Sequence, residues 1–340
     1  MASANPLSVM PTLVDDLDRL ESELLKSAMS DDPYLTEIAA HLIKAGGKRV
    51  RPGFCLAAAA TAPDGGGAAT PESILAGVSI ELVHLGSLYH DDVMDDATTR
   101  RTVASVNAKW GNLKAILAGD FLLARASEIA AGLGVEVAGL LAATIARLCE
   151  GQVLELQYTY DAARTEQQYL RSIGGKTAAL LAAACRIGGI VGGVDAAHRD
   201  ALTTFGYSYG MAFQVVDDVL DLVSTEAELG KPTGHDLEEG VYTLPVIAAL
   251  LGPDGDRLRP LLTDAMTPEQ RDEAVAIIRG GGVLYPTATA TTGTTTIAAV
   301  TTAATTTVVV TTAAPAAATG TATIRYDAAV SKGMVSCTYT

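Results

Sequence analysis

Apolar residues recur at three- and four-residue spacing along successive stretches of this chain, roughly 12–29, 34–45, 51–61, 72–92, 113–132, 136–160, 166–191, 196–222, 242–251 and 268–279. That period marks helices with a buried face, and no stretch before residue 280 sustains the alternation of a strand. The breaks fall at Asp64–Gly67, at Gly132 and Gly134, at Gly192-Gly193 and in the polar run from Ser224 to Gly240. Pro71 followed by Glu72 suits the first turn of a helix. The expected architecture is all-α, a single large bundle of mostly antiparallel helices.

Two acidic motifs of one design lie on these helices, Asp91-Asp92-Val93-Met94-Asp95 and Asp217-Asp218-Val219-Leu220-Asp221. Each follows a strongly apolar run. Residues i and i+4 share a helix face, so Asp91 stacks on Asp95 and Asp217 on Asp221. Like charges in that arrangement destabilise an isolated helix. A lone acidic pentad is commonly a solvated helix end, but the repetition points to divalent cations that neutralise both clusters. Carboxylates are hard oxygen ligands, and Mg²⁺ combines a few of them with water and substrate phosphate.

Cationic motifs accompany them. Gly46-Gly47-Lys48-Arg49-Val50-Arg51-Pro52 places three cations and two glycines at a helix junction, suited to a phosphate or to an ordinary basic turn. Arg100 and Arg101 follow the first acidic motif in a short loop, and Gly230-Lys231-Pro232 follows the second. Gly174-Gly175-Lys176-Thr177 imitates a nucleotide-binding loop. However, position 170 is Leu where that loop needs Gly, and no strand precedes it.

Composition narrows the classes. A net charge of -15 argues against general nucleic-acid binding. Cys55, Cys149, Cys185 and Cys337 form no close pair, which suits free thiols in the cytoplasm. The N-terminus lacks the pattern of a secretory leader, and no uninterrupted apolar stretch reads as a membrane span. From Gly281 to Ile324 there is no charged residue, and the sequence becomes a Thr/Ala/Val repetition. Thr and Val favour strands. An altered or frameshifted terminus, a real helical or disordered tail, and an adhesive segment all remain open for it.

In order, GGKRxRP, His84 with DDVMD, RR, GKT, FQxxDDxxD and GKPxGxDxxEG resemble the trans-isoprenyl diphosphate synthases, the polyprenyl synthetase family, from about residue 35 to 280. The resemblance implies the isoprenoid synthase fold, with helices around a deep central cavity, usually as a homodimer. It makes 1–280 the catalytic domain and leaves 281–340 as an atypical segment. It also implies three Mg²⁺ ions between the aspartate motifs and an allylic diphosphate, with Asp91, Asp95 and Asp217 as direct ligands. Asp92, Asp218 and Asp221 would then act through water or orient their neighbours. Arg100, Lys176 and Lys231 would hold the allylic diphosphate. Gly47, Lys48, Arg51, His84 and Arg101 would hold isopentenyl diphosphate, although His84 also reads as a core histidine. Thr177 and Gln214 would line the path of the developing carbocation.

Gly86 and Ser87, about one turn before Asp91, are expected to leave the product channel open, for an all-trans chain of roughly C30–C50 with C20 as the alternative. No membrane span is expected, only peripheral contact for product release. One departure stands out: after Arg101 the family usually carries Gly, and here stands Thr102. A terpene cyclase, a non-catalytic subunit of a heteromeric synthase and an unrelated acidic metal-binding bundle are the competing classes.

Overall fold

The computed structural model describes residues 12–63, 65, 67–224 and 233–281, together with the backbone of five C-terminal strands. Apart from a short hairpin, β1 (Thr99–Arg100) with β2 (Val103–Ala104), the regular elements among the described residues through Gly280 are helices, as the periodicity requires. The helices are α1 (Leu13–Ser27), α2 (Pro33–Ala39), α3 (His41–Lys44), α4 (Val50–Ala59), α5 (Pro71–Met94), α6 (Val106–Trp110), α7 (Asn112–Gly132) and α8 (Val135–Gln157). They continue with α9 (Glu166–Ile173), α10 (Ala179–Val191), α11 (Ala196–Val223), α12 (His235–Glu238), α13 (Leu244–Leu251), α14 (Gly255–Leu258) and α15 (Pro268–Gly280).

Local chemistry sets the starts. Thr70 accepts a hydrogen bond from the Ser73 amide, Pro71 fills the first helical position and Glu72 lies in the first turn. Thr165 with Gln168, and Thr267 with Gln270, form reciprocal capping boxes at α9 and α15.

The chain divides into two compact units. One comprises the described residues up to Ala146 with Leu180–Gly206, and the other Arg147–Ala179 with the described residues from Tyr207 onward. In the first, α5 is the central element. Its residues 76–83 are all buried, and it packs against α1, α4 and α7. Tyr89 on α5 is fully buried and donates its hydroxyl to the carbonyls of Ile38 and Ala39 at 2.8 and 2.9 Å. In the second unit Tyr169, Leu170, Ile173, Met211, Val215 and Leu244 form a core beneath the second acidic motif.

Between α9 and α10 the chain makes one turn of π-helix, Gly174–Ala178, where the sequence reading ran a single helix over 166–191. Close approach of the neighbouring backbone explains the glycines there. A Cβ on Gly175 would stand 2.7 Å from the Arg147 carbonyl oxygen, and one on Gly151 would stand 2.3 Å from the Lys176 nitrogen.

Two helical stretches, Val135–Gln157 and Glu166–Val191, are long and apolar enough to cross a membrane by length and composition, which the sequence reading did not flag. The second is 78% buried within the protein, as a core helix is.

The C-terminal segment forms strands where helix or disorder was also open. β3 (Ala290–Thr292), β4 (Thr295–Thr302), β5 (Thr305–Ala313), β6 (Thr319–Asp327) and β7 (Val335–Tyr339) pair in sequence order as an antiparallel sheet.

In the first unit, α10 crosses α4 at Gly188, where a Cβ would stand 2.1 Å from the Cys55 carbonyl oxygen. Gly188→Ala is expected to lower stability by about 1–3 kcal/mol through overpacking. A melting temperature equal to that of the parent would refute the contact.

Candidate active site

The first acidic motif closes α5. Asp95 is the C-cap, and its amide donates to the Asp91 carbonyl at 2.9 Å. Carboxylates here meet the negative end of the helix dipole as well as each other, so the site favours a cation. Asp91 is half-buried, Asp95 exposed and Asp92 fully buried. Arg100 donates from Nε and Nη2 to Asp92 Oδ1 at 2.7 and 2.6 Å. Burial pushes the Asp92 carboxyl up and the Arg100 charge opposes it. Asp92 Oδ2 is buried with no hydrogen-bond partner among the described residues.

The arginines ride on a hairpin that the sequence reading took for a loop, β1 (Thr99–Arg100) paired with β2 (Val103–Ala104). Arg101 and Thr102 form its two-residue turn at φ +51° and +67°. Turns with both central residues at positive φ suit this twist but favour Asn and Gly. A β-branched residue there is strained. Arg101 donates from Nη1 to the carbonyls of Leu42, at 3.1 Å, and Gly46, tying the hairpin to the glycine turn.

That turn carries the other cations, and they divide. Gly47 and Lys48 are exposed and Arg51 is half-buried. Arg49, counted among the phosphate-gripping cations, is instead built into the protein. Its Nε and Nη2 donate to Glu21 at 2.7 and 2.8 Å, and its Nη1 to the buried Glu81 at 2.9 Å. Nothing in the spacing of the motif separates Arg49 from its neighbours; only the burial of Glu81 one helix away does so. A Cβ on Gly47 would lie 2.9 Å from Arg49 and 3.0 Å from Arg101, so glycine lets these two guanidiniums underlie the turn.

Half-buried His84 belongs to this cluster. Burial, then the charges of Arg51, Arg101, Arg49 and Arg100, hold its imidazole well below the usual range. It is therefore neutral, offering one N–H and no charge.

Gly86 and Ser87 part company. Gly86 is buried, and a Cβ there would meet the Gly119 carbonyl oxygen at 3.0 Å and Leu123 at 3.1 Å. The glycine permits α5 and α7 to cross closely and does not line open space. This corrects the expectation that Gly86 keeps a channel open. Ser87 is half-buried and donates to the His84 carbonyl at 2.8 Å.

In the second unit, Asp217 is exposed while Asp218 and Asp221 are buried. Asp221 Oδ2 accepts from the Asp236 amide at 3.3 Å. Asp218 Oδ2 accepts from Tyr169 at 2.5 Å and its Oδ1 from Gln214 Nε2 at 2.9 Å. Burial and the neighbouring Asp236 push the Asp218 carboxyl well above its usual range, and these two hydrogen bonds pull against them.

Thr177, on the π turn, donates to Gln214 Oε1 at 2.7 Å. Lys176 pairs with Glu155 at 2.5 Å. The GGKT run is thus helical, in keeping with its rejection as a nucleotide loop. Tyr169 escaped the sequence reading because a tyrosine in an apolar helix looks like core, and Asp236 entered it only as the aspartate of GKPxGxDxxEG, with no role assigned. Lys231 lies outside the described residues.

The donors suit a hard divalent ion. Among the described residues no group of three or more His, Cys, Asp or Glu converges to hold one. Magnesium does not need that, since it takes one or two carboxylates and completes its shell with water and phosphate.

Replacing Thr102 by Gly is expected to raise stability by about 1 kcal/mol, by removing a left-handed β-branched residue. An unchanged or lower melting temperature would refute the strain.

A family profile described as polyprenyl synthetase matches residues 32–278. The nonaprenyl diphosphate synthase of Mycobacterium tuberculosis is 41% identical over 264 residues, 77% of this chain and 78% of that protein. The heptaprenyl diphosphate synthase component 2 of Bacillus subtilis is 39% identical over 268 residues, 78% of this chain and 76% of that protein. The polyprenyl synthase of Caulobacter crescentus, solved in complex with calcium and isoprenyl diphosphate, superposes with a TM-score of 0.75 at 32% identity, covering 84% of this chain and 87% of that one.

Proposed function

The chain belongs to the polyprenyl synthetase family, and from that premise we propose that it joins isopentenyl diphosphate to an allylic diphosphate. The product is an all-trans polyprenyl diphosphate of medium to long chain, roughly C30–C50. The observation that carries this is the shared build of the two acidic motifs. Each has a buried aspartate held by side-chain donors, Asp92 by Arg100 and Asp218 by Tyr169 and Gln214, and at least one aspartate nearer the surface, Asp91 and Asp95 in the first and Asp217 in the second.

Asp91, Asp95 and Asp217 hold magnesium, as three ions, with Asp92, Asp218 and Asp221 orienting them. Bound magnesium neutralises the charge that builds on the leaving diphosphate. Arg100 spends two N–H groups on Asp92 and keeps others of its five for the allylic diphosphate, with Lys176 and Lys231. Gly47, Lys48, Arg51, Arg101 and neutral His84 hold the second diphosphate, and Arg49 underpins them.

Holding both substrates in register makes the step effectively intramolecular. The allylic C–O bond breaks with its electron pair passing to the diphosphate, and the terminal alkene carbon of the isopentenyl unit bonds to the allylic carbon. The departed diphosphate takes the proton lost. Thr177 and Gln214 line the cation's path. Ser87 remains the position facing the growing chain.

We place the protein in the cytoplasm as a homodimer, with peripheral membrane contact for product release. The relative from Bacillus subtilis is named as a component, which favours a second reading: the chain acts only beside a second polypeptide.

The test is the purified chain alone with magnesium, labelled isopentenyl diphosphate and farnesyl or geranylgeranyl diphosphate. Elongation beyond C20 is expected. Chelation should abolish it, and Asp91→Asn or Asp217→Asn should slow it about a hundredfold or more. Cyclised hydrocarbon would indicate a cyclase, and no turnover without a second polypeptide would support the heteromeric reading.

A further inference from the structure

Tyr169 is 1% exposed, packed among Leu170, Ile173, Met211 and Val215, and the synthase chemistry proposed above does not use it. Its hydroxyl begins a chain of three hydrogen bonds. Tyr169 donates to Asp218 Oδ2, Gln214 Nε2 donates to Asp218 Oδ1, and Thr177 Oγ1 donates to Gln214 Oε1. The links are 2.5, 2.9 and 2.7 Å long.

The chain has one polarity. Both Asp218 oxygens accept, Oδ2 from the phenol O–H of Tyr169 and Oδ1 from the amide N–H of Gln214. The Gln214 amide is thereby turned with its oxygen toward Thr177. The Thr177 hydrogen is then committed to Gln214, and the lone pairs of Oγ1 are what the hydroxyl offers elsewhere. Reversed, the same hydroxyl would offer its hydrogen.

We infer that Tyr169 is a positioning residue which, through Asp218 and Gln214, fixes the Thr177 hydroxyl as an acceptor toward the electron-poor allylic carbon. This rests on the synthase reading. Oriented dipoles aimed at a developing charge lower a barrier because they need no reorganisation during the reaction. The arrangement therefore acts on the chemical step and little on substrate binding.

A double-mutant cycle separates this from a packing role. Tyr169→Phe keeps the ring and removes the donor, and Thr177→Val keeps the shape and removes the hydroxyl. Tyr169→Phe is expected to lower kcat about tenfold, with KM for both substrates within about twofold; in the Thr177→Val background it should cost less than about twofold more.

An equal loss in both backgrounds would overturn the inference, as would a change confined to KM. Should Tyr169→Phe not fold, as judged by melting, Tyr169→Met removes the same donor while keeping an apolar side chain of similar size in the core. Its loss of kcat must likewise shrink by a similar factor in the Thr177→Val background, and an unshrunk loss overturns the inference. A parent that does not elongate overturns the synthase reading and this inference with it. A parent that elongates beside a Tyr169→Phe with parental kcat overturns this inference alone.

Discussion

Repulsion between stacked carboxylates is the constraint from which the rest follows. Asp91 over Asp95 and Asp217 over Asp221 place like charges one helical turn apart. The first pair also sits at the C-terminal end of α5, where the helix dipole adds to the cost. The protein answers part of that charge itself. Arg100 closes on Asp92, and Tyr169 and Gln214 close on Asp218. Asp91, Asp95 and Asp217 lie nearer the surface and are the carboxylates proposed above to hold divalent ions with a diphosphate.

The same logic, with the sign reversed, organises the cationic cluster. Arg49, Arg51, Arg100 and Arg101 crowd around a neutral His84, and Glu81 lies among them as a buried counter-charge. Burial raises the Glu81 carboxyl, and Arg49, Arg51 and Arg101 oppose that rise. A buried ion pair is weak evidence for stability, because desolvation offsets its attraction. Its use here is geometric. Arg49 is held by Glu21 and Glu81, and Gly47 rests against it and Arg101 without a side chain between. The excess positive charge of the cluster suits a second, separate diphosphate.

Much of this was legible in the sequence because it lies on one helix or in one short segment. Pro71 with Glu72 at the start of α5 and the aspartates at its end are local signals with local causes. What escaped depends on partners far along the chain. The resemblance left Arg49 out of the diphosphate set, but the reason, its ion pairs with Glu21 and Glu81, shows only in the folded chain. Gly86 looked like an open wall until Gly119 of α7 lay against it. The π turn at Gly174–Ala178 carries no pattern of its own in the sequence, and the need for glycine at position 175 shows only where it lies against Gly151 and the Arg147 carbonyl. Thr102 was visible as a departure from the family, but its strain needed the φ of the hairpin turn.

The central claim is that both acidic motifs hold divalent ions together with a diphosphate. The most direct measurement is the melting temperature of the full chain with magnesium, with inorganic pyrophosphate, and with both. A ligand that binds only the folded state stabilises it in proportion to its occupancy, by roughly 3 kcal/mol at a hundredfold excess over Kd. The account predicts that the pair raises the melting temperature by more than the two separate shifts added together, and that Asp91→Asn and Asp217→Asn each remove the excess. A full shift with pyrophosphate alone, or an undiminished excess in both variants, would contradict it.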